Sequence, residues 1–155
     1  AVTLTQSLLD DTGSSLDRAR AAAQNIVPTT SGASKAVVKT IPSLKNKIEI
    51  MAVRVPVQTV SMCDTTVVVG KSTTVDEVNH VFKVASETNM KGVLQFATEA
   101  LASSDYIGSP YSCVFDSNYT KVIDGNMIKV VGWYDNEWGY ACRLSDLVER
   151  LGHFV

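Results

Sequence analysis

Both tryptophans of the chain lie in one short run, GWYDNEWGY, Gly132 to Tyr140. The run also holds two tyrosines, one amide and two carboxylates. It is too polar for a buried strand and too aromatic for an ordinary loop. Alone it reads as a self-contained aromatic site. A second group of residues has anion chemistry. Arg54 sits in the middle of a valine-rich stretch, MAVRVPV, so its guanidinium must reach a carboxylate, an anion or solvent. Ser31-Gly32 opens a helix-prone segment. Free backbone N–H groups there attract anions, and glycine lets an anion come close; simple N-capping by Ser31 is the alternative. Arg18 and Arg20 follow a turn-rich loop. They can clamp a phosphate or form a solvated, charged junction. Together Arg18, Arg20, Ser31, Gly32 and Arg54 suggest a phosphate site.

Other reactive residue types lack partners. His80 lies beside Asn79 in a helical stretch, and His153 is the third-last residue. Neither belongs to a triad or metal pattern, so a surface role is expected for both. No metal site is expected. Cys63, Cys113 and Cys142 have no basic neighbour or helix start to activate a thiolate, which points to packing roles.

These residues need elements to hold them. AVTLTQ has strand character, Asp10 to Ser15 (DDTGSS) reads as an extended surface loop, and LDRARAAAQNI is helix-prone. ASKAVVKTI predicts a short helix ended by Pro42. IEIMAVRVPV and TVSMCDTTVVVG predict two strands, with Val53 and Val55 on one face and Arg54 on the other. Thr74 to Glu77 has the T-x-x-E form of a capping box. It opens a helix with Val75, Val78, Phe82 and Ala85 at helical spacing. GVLQFAT and YSCVFD predict short strands. KVIDGNMIKVVGW predicts a hairpin turning at Asp124-Gly125. The last helix runs from about Gly139 to Leu151, with Tyr140, Leu144, Leu147 and Leu151 on one side. Strands joined by both hairpins and helices predict an α+β fold: a largely antiparallel or mixed sheet with helices on one face. There is no G-x-G-x-x-G, so no dinucleotide fold is expected within these residues.

The chain has 155 residues, is 45% hydrophobic and carries a formal charge of −2. That suits a compact domain and argues against nucleic acid as a partner. No apolar run reaches the ~20 residues of a membrane span. Three scattered cysteines suggest a reducing compartment, so a cytoplasmic location is expected. Ala1 is not methionine, which suggests a chain cut from something longer.

Four motifs, RARAAAQNIVPTTSGASKAV, MAVRVPV, DGNMIKVV and WYDNEWGY, together resemble the C-terminal catalytic domain of phosphorylating glyceraldehyde-3-phosphate dehydrogenases. The resemblance covers nearly the whole chain. It implies that residues 1–155 are the catalytic domain and that the N-terminal NAD-binding Rossmann domain is absent. It further implies a tetramer and an oxidative phosphorylation of glyceraldehyde 3-phosphate with NAD in glycolysis. In the family a cysteine thiolate attacks the aldehyde, a histidine activates it, and inorganic phosphate releases the acyl group.

By this resemblance Thr3, Arg18 and Arg54 hold the substrate's phosphate, while Ser31 and Gly32 bind inorganic phosphate. Thr5 replaces an acidic or hydroxyl residue. Asn136 bonds the nicotinamide carboxamide, and Tyr140 packs near that ring. Ala1, Thr3 and Gln6 fit the family's histidine motif, which places the histidine one residue before Ala1 and the cysteine further upstream. No catalytic residue is then expected in this chain, and the isolated chain is expected to be inactive. Small polar residues in DDTGSS resemble relatives that accept NADP. Two alternatives stand beside this reading. One is an erythrose-4-phosphate dehydrogenase domain, although those relatives tend to have cysteine where this chain has Tyr134. The other is a non-catalytic phosphate-binding or oligomerisation module.

Overall fold

The computed structural model describes residues 1–12 and 15–153. They fall into two compact units, Ala1–Gln58 and Thr59–Val155.

In the first unit, strands β1 (Val27–Thr30) and β2 (Met51–Arg54) form an antiparallel ribbon in which Val27 lies opposite Arg54. Between them lie helix α1 (Ala33–Thr40) and a 3₁₀ turn, Pro42–Leu44. The helix stops where expected. Ile41, the residue before proline, has φ −126° and ψ 81°, because the proline ring disfavours helical backbone there. The Ser34 hydroxyl accepts the Ile50 N–H at 3.0 Å.

Three expectations need correction. LDRARAAAQNI forms turns rather than a helix. Its backbone bonds instead to the segment before it: Ala22 N to Ser7 O at 2.9 Å, Ser7 N to Arg18 O at 3.2 Å and Asp11 N to Ala19 O at 2.9 Å. Ala19, Ala21 and Ala22 are buried in this arrangement. Tertiary hydrogen bonds and close packing of small side chains outweigh helix propensity. AVTLTQ is not a strand either. Val2 donates one bond to Val57 O at 3.0 Å, and the chain then turns, with Gln6 N donating to Thr3 O at 3.0 Å. β1 was not expected from its sequence; its four residues, with Pro28 among them, give too short a pattern. The reading of DDTGSS includes Gly13 and Ser14, which lie outside the described residues.

In the second unit the elements are β3 (Ser61–Val68), α2 (Val75–Glu87), β4 (Leu94–Ala97), a 3₁₀ turn Ser103–Tyr106, β5 (Cys113–Ile123), β6 (Met127–Tyr134) and α3 (Trp138–Gly152). The sheet runs β3-β6-β5-β4, with β4 and β5 parallel and the other pairs antiparallel. This is the expected α+β class with a mixed sheet.

The capping box forms: Glu77 N donates to Thr74 Oγ1 at 3.2 Å, and Thr74 N donates to Glu77 Oε2 at 2.9 Å. The β5–β6 hairpin turns at Asp124 and Gly125, both with positive φ (50° and 73°), as a tight two-residue turn requires. α2 packs on β4 and β5. There Phe82 stacks on Phe115 with ring centroids 4.0 Å apart, and Phe96 stacks on Phe115 at 5.6 Å. A further cluster joins Val60, Tyr106 and Val114 to Trp133.

The stripe of Tyr140, Leu144, Leu147 and Leu151 on α3 is half or more exposed. β3 is a sheet edge, and Met62, Val67 and Val68 on it are exposed as well. Cys63 is exposed on the same strand, so it does not have the packing role expected of it.

Candidate functional site

Each unit carries one candidate site. In the first, Thr3, Arg18 and Arg54 line a single narrow cleft together with Thr5, Gln6, Val27 and Thr29. The pairing of β1 with β2 fixes much of this, since it sets Arg54 opposite Val27 and brings Thr29 into the same region. Arg18 Nη2 donates to Thr29 Oγ1 at 3.1 Å. Thr3 Oγ1 and Thr5 Oγ1 share a hydrogen bond of 2.9 Å.

Arg54 is half-buried and makes no ion pair or hydrogen bond among the described residues. The structural ion pair, the plainest reading of its position, does not form. Gln6 supplies a second unused group. Its Oε1 accepts the Thr3 N–H at 2.9 Å, while its Nε2 is buried without a partner. A buried unpaired donor costs free energy unless something fills it. Two cationic groups, hydroxyls and an orphan N–H around one cleft have the chemistry to take an anion. The sequence showed Gln6 only as a motif match; the signal that would have singled it out is its burial.

Arg20 is held elsewhere, in an ion pair with Asp10 at 3.3 Å. Ser31 and Gly32 do not line the cleft. They form the N-terminal edge of α1, where Ser31 Oγ accepts the Ala33 N–H at 3.1 Å. Space around Gly32 is open: a Cβ built there meets nothing within 4 Å.

The second site is the turn from β6 into α3. Asp135 is only 4% exposed. Its Oδ1 accepts the N–H groups of Glu137 at 2.9 Å and Trp138 at 3.0 Å, and the Thr59 hydroxyl at 3.3 Å. Its Oδ2 accepts the Gly108 N–H at 2.9 Å. Burial raises this carboxyl's pKa, but the N–H groups of Trp138, Gly108 and Glu137 outweigh burial, and the group sits below its ordinary value. Asn136 Oδ1 accepts the Ser61 hydroxyl at 3.3 Å. Its Nδ2 makes no hydrogen bond among the described residues. One strand back, Trp133 Nε1 donates to Asp116 Oδ2 at 3.1 Å and stacks on Tyr106 at 5.4 Å. Tyr140 is exposed on the first turn of α3. The run GWYDNEWGY is therefore scaffold in part, and it presents one unpaired amide, Asn136, and two exposed rings, Trp138 and Tyr140.

His80 and His153 are exposed, as expected. Burial, and next the neighbouring Cys63, push the Cys113 thiol up to about 11, so it is not an activated nucleophile. Among the described residues, no helix is long and apolar enough to cross a membrane.

The chain matches the family model "Glyceraldehyde 3-phosphate dehydrogenase, C-terminal domain" over residues 1–136. It belongs to that family. The glyceraldehyde-3-phosphate dehydrogenase 2 of Streptomyces avermitilis is 48% identical over 153 residues, which cover 99% of this chain and 46% of that protein. Glyceraldehyde-3-phosphate dehydrogenases of Streptomyces coelicolor (48%) and Mycobacterium tuberculosis (49%) match to a similar extent. The chain thus spans a little under half the length of the curated relatives it matches. A glyceraldehyde-3-phosphate dehydrogenase C-terminal domain accounts for the α+β fold and for the order of the four motifs.

Proposed function

We propose that this chain is the catalytic, substrate-phosphate-binding domain of a glycolytic glyceraldehyde-3-phosphate dehydrogenase, joined in the full-length enzyme to an NAD-binding Rossmann domain. The observation that carries the proposal is the convergence of Thr3, Arg18 and Arg54 on one cleft with a buried, unpaired Gln6 amide. Arg18 and Arg54 neutralise the phosphate of glyceraldehyde 3-phosphate, and Thr3 and Gln6 donate to its oxygens. Ser31 and Gly32 bind the attacking inorganic phosphate at the start of α1. Asn136 and Tyr140 fit a nicotinamide. A carboxamide needs a polar partner, which the free Nδ2 supplies, and the ring needs an apolar wall, which Tyr140 supplies. NAD, or NADP, supplies the hydride acceptor when bound. The cysteine nucleophile and histidine base lie outside these residues, so the isolated chain does not oxidise substrate. The full-length enzyme is a cytoplasmic homotetramer in this reading, and the exposed apolar residues of β3 and α3 support assembly through those faces.

The test is a steady-state assay of the full-length enzyme with NAD, phosphate and either glyceraldehyde 3-phosphate or erythrose 4-phosphate, with the 155-residue chain alone in parallel. Preference for the three-carbon aldehyde by the full-length enzyme and no turnover by the isolated chain are expected. Preference for erythrose 4-phosphate, or turnover by the isolated chain, overturns the proposal.

A further inference from the structure

The segment Thr59–Ser61 and the pair Asp135–Asn136 are clasped by two side-chain hydrogen bonds. Thr59 Oγ1 donates to Asp135 Oδ1, and Ser61 Oγ donates to Asn136 Oδ1, both at 3.3 Å. Between the two hydroxyls sits Val60, 1% exposed and at φ 69°. Left-handed backbone is costly for a β-branched residue, and such strain persists only where surrounding packing enforces it. Here the packing is the cluster with Tyr106 and Val114. Ser61 is also the first residue of β3 and pairs with Tyr134. Backbone strain, core packing and strand register therefore all fix the Ser61 backbone from which its hydroxyl reaches Asn136.

An asparagine amide has an acceptor end and a donor end, and a free side chain presents either. The Ser61 hydroxyl can donate to Oδ1 or accept from Nδ2, so what it fixes is the place of the Asn136 side chain; in this structure it donates to Oδ1 and Nδ2 is left unpaired. Asp135, held through four hydrogen bonds, fixes the backbone beneath it.

We infer that Ser61 is a positioning residue for the cofactor: its hydroxyl holds the Asn136 side chain where it can meet the nicotinamide carboxamide. This rests on the proposed role of Asn136. It goes further in naming the residue that holds the Asn136 side chain in place.

The test is a double-mutant cycle in the full-length enzyme, read by calorimetric NAD affinity. Ser61→Ala weakens NAD binding by about 3–10-fold, the value of one neutral hydrogen bond, when Asn136 is present. In the Asn136→Ala background the same change has no effect. Ser61→Thr, which keeps the hydroxyl, restores affinity to within about twofold. If Ser61→Ala does not fold, Ser61→Cys, a weak donor of similar size, takes its place in the cycle. An equal loss in both backgrounds means that Ser61 acts through general structure and overturns the inference. So does no loss from Ser61→Ala when Asn136→Ala alone weakens binding. If Asn136→Ala leaves NAD affinity unchanged, the nicotinamide role of Asn136 fails, and the inference fails with it.

Discussion

Gly108 donates its backbone N–H to Asp135 Oδ2 at 2.9 Å, so one carboxylate ties the end of β6 to the loop that follows the 3₁₀ turn Ser103–Tyr106. Asp135→Asn puts an amide N–H against that donor. It is expected to cost about 1–3 kcal/mol, as for a buried group left unpaired, measured by urea unfolding at neutral pH. The acid dependence has a definite sign. The Asp135 pKa is lowered in the folded state from an ordinary value of 3.8. Its contribution is therefore present above that value and is lost as pH falls through the lower folded value. The gap between wild type and Asp135→Asn should hold from neutral pH to about pH 4 and shrink below it. A gap that stays constant into strong acid would contradict this.

Gly132 and Cys113 share one space. A Cβ on Gly132 would lie 2.6 Å from Cys113 Sγ. Gly132→Ala should destabilise by about 1–3 kcal/mol through overpacking. Cys113→Ala removes the sulfur, so the double variant should recover much of that loss. A cycle with no coupling between the two sites would show that the strain lies elsewhere.

Thr74 caps α2 through its hydroxyl. Thr74→Ala should cost about 1 kcal/mol. Thr74→Ser, which keeps the acceptor, should cost a few tenths at most. A loss of equal size in both would point away from the cap.

Ser31→Ala tests the α1 edge. It removes a hydroxyl from the proposed inorganic-phosphate site, so the KM for phosphate should rise by about 3–10-fold in the full-length enzyme. The KM for glyceraldehyde 3-phosphate should move by less than about twofold. A rise in the aldehyde KM instead would reassign Ser31 to the other anion site.

Where local chemistry decides the structure, the sequence predicts it well. The T-x-x-E box, the proline stop after α1 and the Asp124-Gly125 turn each act within four residues, and each forms. Long-range effects are different. The alanines of LDRARAAAQNI favour a helix locally, yet they become a buried, non-helical packing surface because the segment from Ser7 to Asp11 takes their backbone hydrogen bonds. The candidate site divides in the same way. Arg18 and Arg54 carry a chemistry that is readable from their side chains alone. Gln6 and Ser61 do not, because a buried amide and a strand-end hydroxyl matter only through what lies beside them in space. GWYDNEWGY draws the eye with its tryptophans, but in the proposed function it works through Asn136, the amide between them.

The central claim is that Arg18 and Arg54 bind the phosphate of the substrate. The most direct measurement compares kcat/KM for glyceraldehyde 3-phosphate and for unphosphorylated glyceraldehyde in the full-length enzyme carrying Arg18→Ala or Arg54→Ala. A charge-assisted hydrogen bond lost from each variant predicts a drop of about 10–100-fold with the phosphorylated aldehyde. With glyceraldehyde itself, the account predicts a change of less than about threefold. Equal losses with both aldehydes would contradict it.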